Sequence, residues 1–288
     1  MQKEGPVNCD YEKQGYLYDD FKMFHIKDNV KRDYSYHYHE FYKILIFLRG
    51  NVTYSIEGKS YKLKAFDMVL VNKEAIHRPE VSFDEPYERI VFYISGEFLQ
   101  KHKTAEYDLE NCYKCAKKEG SDVLRFPALM NTRLLSIVEE IEKNGQENSQ
   151  YAAKLYANVL FLELMILINR SCVDGSGSFD HTVTFNQKMI DVLFYVGEHL
   201  TENLSIDELA EHFFISKFHM MRQFKEETGY TIHQYITEKR VLLAKSLIRA
   251  GMTATQACYE SGFRDYSTFS RAYKRRLLKS PSNREEED

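Results

Sequence analysis

The chain has 288 residues, enough for two domains of ordinary size, and its 43% apolar and 28% charged residues exclude the disordered and fibrous classes. The net charge of −4 is unevenly held: residues 185–284 carry 15 Lys+Arg against 11 Asp+Glu, while residues 285–288 are all acidic. No apolar leader is visible and five cysteines make no disulfide scaffold, which excludes a small secreted domain and points to a cytoplasmic chain.

Residues 1–33 read as an N-terminal arm. From about Tyr34 to Phe98 the chain is rich in Tyr, Phe, Ile and Val, in short runs broken by the turn signals Arg49-Gly-Asn51, Glu57-Gly-Lys59 and Asp84-Glu-Pro86. Short strands at this spacing predict an all-β barrel or sandwich, placed here at residues 34–126. Within it, Cys112 and Cys115 form a lone CxxC with neither a zinc-ligand set nor a thioredoxin-like context, and it reads as chance or surface thiols.

From Ala128 to Asn169 the period becomes helical, and residues 127–170 are assigned to a helical dimerisation segment. Leu134, Ile137, Val138 and Ile141 form one stripe, and Leu155, Val159, Leu162 and Ile166 form another. The second stripe could cover the barrel or pair two copies into a homodimer, and dimerisation is the reading adopted. The apolar run Val159–Ile168 contains Glu163 and is shorter than the ~20 residues a membrane span needs, so no membrane partner is expected. Residues 171–184, around Asp174-Gly-Ser-Gly-Ser178, read as a flexible linker.

The C-terminal part, residues 185–284, reads as all-α. Ser205-Ile-Asp-Glu208, Thr231-Ile-His-Gln234 and Thr253-Ala-Thr-Gln256 open helices in capping-box style, and Ser216 and Asp265 are further N-cap candidates. Two helix pairs share one design, a short helix followed by a turn and a longer basic helix. The shift that places Ser216 on Asp265 also places Met220 on Phe269, Arg222 on Arg271, Phe224 on Tyr273 and Lys225 on Lys274. The apolar members face inward at helical spacing, which leaves Arg and Lys outward, as a helix entering a major groove requires. A connecting helix over Ile232–Arg249, of about 18 residues, would be about 27 Å long and could hold two such helices at successive grooves.

The segments Leu209-Ala-Glu-His-Phe-Phe-Ile-Ser216, Phe224-Lys-Glu-Glu-Thr-Gly229, the series Arg240, Ala244 and Leu247, and Gly262-Phe-Arg-Asp-Tyr-Ser-Thr-Phe-Ser-Arg271 resemble the AraC/XylS-type transcription regulators over residues 185–281. The resemblance implies a double-stranded DNA operator read by Lys217, Phe218, Met221, Arg222 and Lys225 in the first unit. In the second unit the readers would be Tyr266, Ser267, Ser270, Arg271 and Lys274. It departs at Leu278, where the family usually has glycine, and after Pro281, where the family's aromatic residue is missing. The acidic tail, residues 285–288, reads as a solvated end.

His37-Tyr-His-Glu-Phe-Tyr-Lys-Ile-Leu-Ile-Phe-Leu-Arg-Gly50 resembles the first motif of a cupin barrel, and Phe66–Asn72 with His77-Arg-Pro79 resembles the second. The whole then reads as α+β in two domains: a cupin-like barrel with a helical segment, and an all-α domain with two helix-turn-helix units. Metal-binding cupins carry Glu where Lys43 stands, and an ammonium repels a cation, so neither metal nor other cofactor is expected. His37, His39, Lys43 and His77 are instead candidate effector-binding residues for a sugar or related metabolite. An inward Lys suits an effector with an anionic group; alternatively, Lys43 reaches the barrel mouth or pairs with Glu40 or Glu57. The resemblance implies an effector-responsive activator, a homodimer, and RNA polymerase as a partner, with no catalysis. The other readings are a constitutive DNA-binding regulator whose barrel only dimerises, and a metal-dependent cupin enzyme.

Overall fold

A computed structural model describes residues 17, 19–29, 34–82, 84–126, 133–146, 150–182 and 184–282. The chain divides into two compact units, Met1–Ile56 with Ser60–Thr184, and Glu57–Lys59 with Phe185–Asp288.

The first unit contains β1 (Phe21–Asp28), β2 (Tyr42–Arg49), β3 (Asn51–Ile56), β4 (Lys59–Lys62), β5 (Met68–Val71), β6 (His77–Ser82) and β7 (Tyr87–Ile94). There follow α1 (Gly96–Lys101), α2 (Asn111–Glu119), β8 (Val123–Arg125), α3 (Arg133–Gln146), α4 (Ala153–Asp174), β9 (Ser178–Phe179) and β10 (Thr184–Phe185). The strands form a six-stranded sheet, β1-β7-β2-β5-β8-β9, and a four-stranded one, β10-β4-β3-β6. These ladders are two sheets, and a closed barrel is not what their pairing describes.

Strand β2 shows why its sequence is a near-continuous apolar run: it is covered on both faces. Tyr42, Ile44 and Ile46 face a core shared with Ile137, Val138 and Ile141 of α3 and Leu160, Phe161, Leu164 and Ile168 of α4. Leu45 and Phe47 face the opposite core, where Val52, Tyr54 and Tyr61 of the second sheet meet Val69, Tyr87 and Val91 of the first. Each such side chain contributes roughly 1.5–3 kcal/mol by leaving water.

Residues 21–28, assigned to an N-terminal arm ahead of the sheets, are a full sheet strand in register with β7, Phe21 opposite Ile94 and Asp28 opposite Tyr87. The rest of that arm lies largely outside the described residues. The presumed flexible linker is structured: α4 runs to Asp174, Gly175 closes it in a left-handed conformation, and Phe179 pairs with Leu124. Buried Asp180 then meets the Arg125 guanidinium at 2.7 Å. Glycine and serine there serve a tight cap, not mobility. Helix α4 also outruns the expected apolar stretch. At 22 residues it is long and apolar enough to cross a membrane, although its inward face is spent on the core. Cys112 is a core residue of α2 and not a surface thiol, and burial, then neighbouring Cys172, raise its pKa well above the usual thiol value.

The second unit holds α5 (Gln187–Glu198), α6 (Ile206–His212), α7 (Lys217–Thr228), α8 (Ile232–Arg249), α9 (Ala254–Glu260) and α10 (Tyr266–Leu277). Ser205, Thr231 and Thr253 form full capping boxes with Glu208, Gln234 and Gln256, and the Asp265 carboxylate accepts from the Thr268 N–H. Ser216 occupies the N-cap position of α7, but its side chain makes no cap hydrogen bond. Helix α8 is the central strut. Its Arg240 donates to the carbonyls of Leu200 and Glu202 at 2.8 and 2.6 Å, and its Glu238 pairs with Arg276 of α10 at 2.6 Å.

Candidate functional site

The second unit repeats one arrangement, α6–α7 and α9–α10, on either side of α8. Met220 and Phe224 of α7 are buried, and so are their counterparts Phe269 and Tyr273 of α10. Arg222 and Lys225, and their counterparts Arg271 and Lys274, are all exposed. The inward residues are a consequence of helical period, and they fix which way the cations point.

The remaining candidates differ in availability. Phe218 is 83% exposed at the start of α7, with Met221 one turn on at its exposed edge. Lys217 pairs with Asp207 of α6 at 2.8 Å, an exposed pair that holds the head of α7. Ser267 is exposed and Ser270 is half-buried. Tyr266 is partly absorbed by packing, its ring on Phe269 and its hydroxyl 3.1 Å from Ser282 Oγ. Arg271 donates to the Ser267 carbonyl at 3.3 Å, and Arg222 lies 3.4 Å from His219 Nδ1; both are long, water-exposed contacts that an incoming acceptor can replace. Sequence reading did not single out Phe214. It stands in the turn before α7 with φ of 52°, and its ring projects into solvent.

In the first unit His37, His39, Lys43 and His77 do converge, and all four are buried. His37 and His77 form a backbone bridge with reciprocal hydrogen bonds of 3.1 and 2.9 Å. Lys43 is buried, and its ammonium donates to Tyr54 Oη at 3.0 Å and meets His77 Nε2 at 3.3 Å. Burial, then the charge of Arg89, lowers its pKa to about 7. Burial, then Lys43, takes His37 down to about 4 and His77 well below its usual value. Tyr54, missed in the sequence, stacks on His77 at 6.0 Å, and the alternation of β3 was the available signal. An open cleft of about 670 Å³ lies elsewhere, between β1 residues such as Phe21 and His25 and the facing ends of α3 and α4.

Most of the second stripe of α4 points away from the core. Leu155 and Val159 are 65% and 53% exposed, Ile166 is exposed and Leu162 is half-buried. Leu155, Val159 and Ile166 therefore do not cover the sheets; Phe161, Leu164, Met165 and Ile168 do, and half-buried Leu162 packs against the same core.

A sheet-rich unit enclosing a polar cluster, followed by a helical unit with two matched basic helices, defines a ligand-binding module joined to a DNA-binding one. A family model described as AraC-like ligand binding domain matches residues 24–160, and one described as helix-turn-helix domain matches residues 209–285. The HTH-type transcriptional activator RhaS of Escherichia coli (strain SE11) is 23% identical over 254 residues, covering 86% of each chain. Among solved structures, ToxT from Vibrio cholerae O395 is 18% identical with a TM-score of 0.37, over 91% of this chain and 96% of that one. The DNA-binding domain of AdpA, in complex with a target DNA, is 26% identical with a TM-score of 0.32, over 33% and 86%. The chain belongs to the AraC/XylS-type transcription regulators: it is a DNA-binding regulator with a ligand-binding domain, and not an enzyme.

Proposed function

We propose that the chain is an effector-responsive transcription activator whose two helix-turn-helix units, α6–α7 and α9–α10, enter successive major grooves of one operator. The observation that carries this reading is the matched exposure of Arg222 with Arg271 and Lys225 with Lys274, each pair backed by buried aromatic or apolar residues. The 18-residue strut α8, about 27 Å long, is commensurate with two grooves about 34 Å apart. Arg222 and Arg271 read guanine through bidentate hydrogen bonds, worth about 1–3 kcal/mol each, while Phe218 and Met221 meet thymine methyl groups. Lys217, Lys225 and Lys274 hold phosphates, with Tyr266, Ser267 and Ser270 at the edge of the second helix.

The effector is a sugar or related metabolite that engages His37, His39, Lys43 and His77, supported by the convergence of four buried polar groups without a carboxylate among them. The outward residues Leu155, Val159 and Ile166, with half-buried Leu162 beside them, support a homodimer, which raises the effective concentration of each DNA-binding unit for its neighbour. RNA polymerase is the activator's partner, and the chain works in the cytoplasm. The effector acts by binding two states of the regulator with different affinities.

The test is a hydroxyl-radical footprint on DNA selected from a random pool by the full-length chain. Protection over two successive turns is expected, with Arg222→Glu losing one turn and Arg271→Glu the other. Protection confined to a single turn, or both substitutions erasing the same turn, contradicts the bipartite reading.

A further inference from the structure

Lys43 sits where an amine can act as a nucleophile. Its Nζ lies 3.0 Å from Tyr54 Oη and 3.3 Å from His77 Nε2, and all three residues are buried. His77 Nδ1 donates to the Ala75 carbonyl, as His37 Nδ1 does to that of Ser35, both at 2.9 Å. A nitrogen facing a carbonyl carries the proton, so His77 Nε2 turns a lone pair toward Nζ. Burial, then the charge of Arg89, takes the Lys43 pKa to about 7, which leaves about half of the amine neutral at pH 7. An ordinary lysine amine, titrating near 10.4, is less than about 0.1% neutral there. A desolvated neutral amine is the form in which lysine attacks carbonyl groups, and here it stands between a hydroxyl and an imidazole. A second observation points to a ligand. Tyr87 Oη, in the same core as Tyr54, is buried and has no hydrogen-bond partner among the described residues, whereas buried hydroxyls are almost always paired.

We propose that Lys43 captures an effector bearing a free aldehyde or ketone group, such as the open-chain form of a reducing sugar, as a reversible imine. Such capture rests on the reading of this cluster as the effector site. The Nζ lone pair attacks the carbonyl carbon, and the C=O π pair moves to the oxygen. Tyr54 gives its hydroxyl proton to that oxygen and takes one from the nitrogen, which yields a carbinolamine. His77 Nε2 then takes the remaining N–H proton and passes it to the carbinolamine hydroxyl. The hydroxyl leaves as water while the nitrogen lone pair closes the C=N bond. One amine and one carbonyl give one imine and one water, so neither oxidant nor reductant is needed. The Tyr87 hydroxyl is a partner for a hydroxyl of the ligand in the same interior. Burial of Lys43 keeps bulk water from the C=N bond once it has formed.

The experiment treats the full-length protein with glycolaldehyde and cyanoborohydride at pH 7, and peptide mass spectrometry follows each lysine with time. Cyanoborohydride reduces the imine and spares the aldehyde, so a stable secondary amine records every imine formed. Lys43 is expected to be labelled at least about tenfold faster than the exposed Lys101 and Lys118. Tyr54→Phe and His77→Gln should each slow the labelling of Lys43 about tenfold or more and leave the exposed lysines unchanged. Thermal unfolding checks that each variant is folded; where one is not, the other and the wild-type comparison with Lys101 and Lys118 carry the test. Labelling of Lys43 no faster than that of the exposed lysines overturns the proposal, and so does labelling that ignores both substitutions. If glycolaldehyde changes operator affinity while Lys43 stays unlabelled, the covalent step is overturned and the effector reading survives. If Lys43 is labelled first and operator affinity is indifferent to the adduct, the imine site stands and the effector role of the cluster falls.

Discussion

Single positions in this chain carry constraints that a few heavy atoms explain. Gly262 has φ of 89°, and a Cβ there would lie 2.8–2.9 Å from backbone atoms of Leu200 and Thr201. Gly262→Ala is therefore expected to cost about 3 kcal/mol or more, since the clash is with backbone and not with a side chain that can swing away. Urea unfolding of the full chain measures it. Leu278 is the opposite case. It closes α10 with φ of 57° and is 79% exposed, so its side chain gains little and strains the backbone. Leu278→Gly should stabilise the second unit by about 1 kcal/mol, read as a raised urea midpoint. That departure from the family pattern was visible in the sequence, and its consequence, a left-handed leucine, was not, because a glycine's absence does not reveal whether the chain keeps the conformation.

Asp180 sets a pH dependence. Burial raises its carboxyl pKa, but the Thr182 hydroxyl and N–H and the Arg125 guanidinium outweigh burial and leave it below the ordinary value. A depressed carboxyl contributes stability fully present above its unfolded pKa of about 3.9 and lost as pH falls through the lower folded value. Unfolding followed between pH 5 and pH 2 should show that loss, and Asp180→Asn should flatten it. An unchanged slope would remove Asp180 from the account.

At the scale of elements, legibility followed local chemistry. The capping boxes at Ser205, Thr231 and Thr253 are bonds within four residues, so the sequence alone located their helices. Helix α5 is not marked in the sequence although Met189, Val192, Leu193 and Val196 hold helical spacing and are its buried residues, because its N-cap Asn186 makes no side-chain cap bond and its C-cap is His199 rather than glycine. The segment after α4 was misread for a nonlocal reason. Gly177 lies against Leu124 and Ser171, and Asp180 against Arg125, partners far away along the chain or hidden on another element. The faces of α4 were only half assigned, since its outward stripe was legible but not the inward set Phe161, Leu164, Met165 and Ile168 that packs on the sheet. This separation makes a clean test of the proposed dimer. Leu155→Glu with Val159→Glu should leave the unfolding midpoint nearly unchanged and shift sedimentation from dimer to monomer, while Leu164→Ala should cost roughly 2–5 kcal/mol. A midpoint falling as far for the outward pair as for Leu164→Ala would mean that the stripe belongs to the fold.

For the molecule as a whole, family and two-unit organisation were legible because both rest on contiguous motifs, whereas the four converging polar groups of the first unit were legible only as a set. Residue parity placed positions 37, 39 and 43 on one face, but the orienting carbonyls of Ser35 and Ala75 and the hydrogen bond from Lys43 to Tyr54 exist only after two strands have met. In the second unit, sequence period and structure agree that Arg222 and Arg271, the pair proposed to read DNA, point outward. The most direct measurement is the affinity of the full-length chain for its selected operator, over a series of salt concentrations, in wild type and in the variant carrying both Arg222→Glu and Arg271→Glu. The account expects operator affinity to fall by at least about a hundredfold and the salt slope to become shallower as phosphate and base contacts are lost. An affinity and a salt slope equal to those of wild type would contradict it.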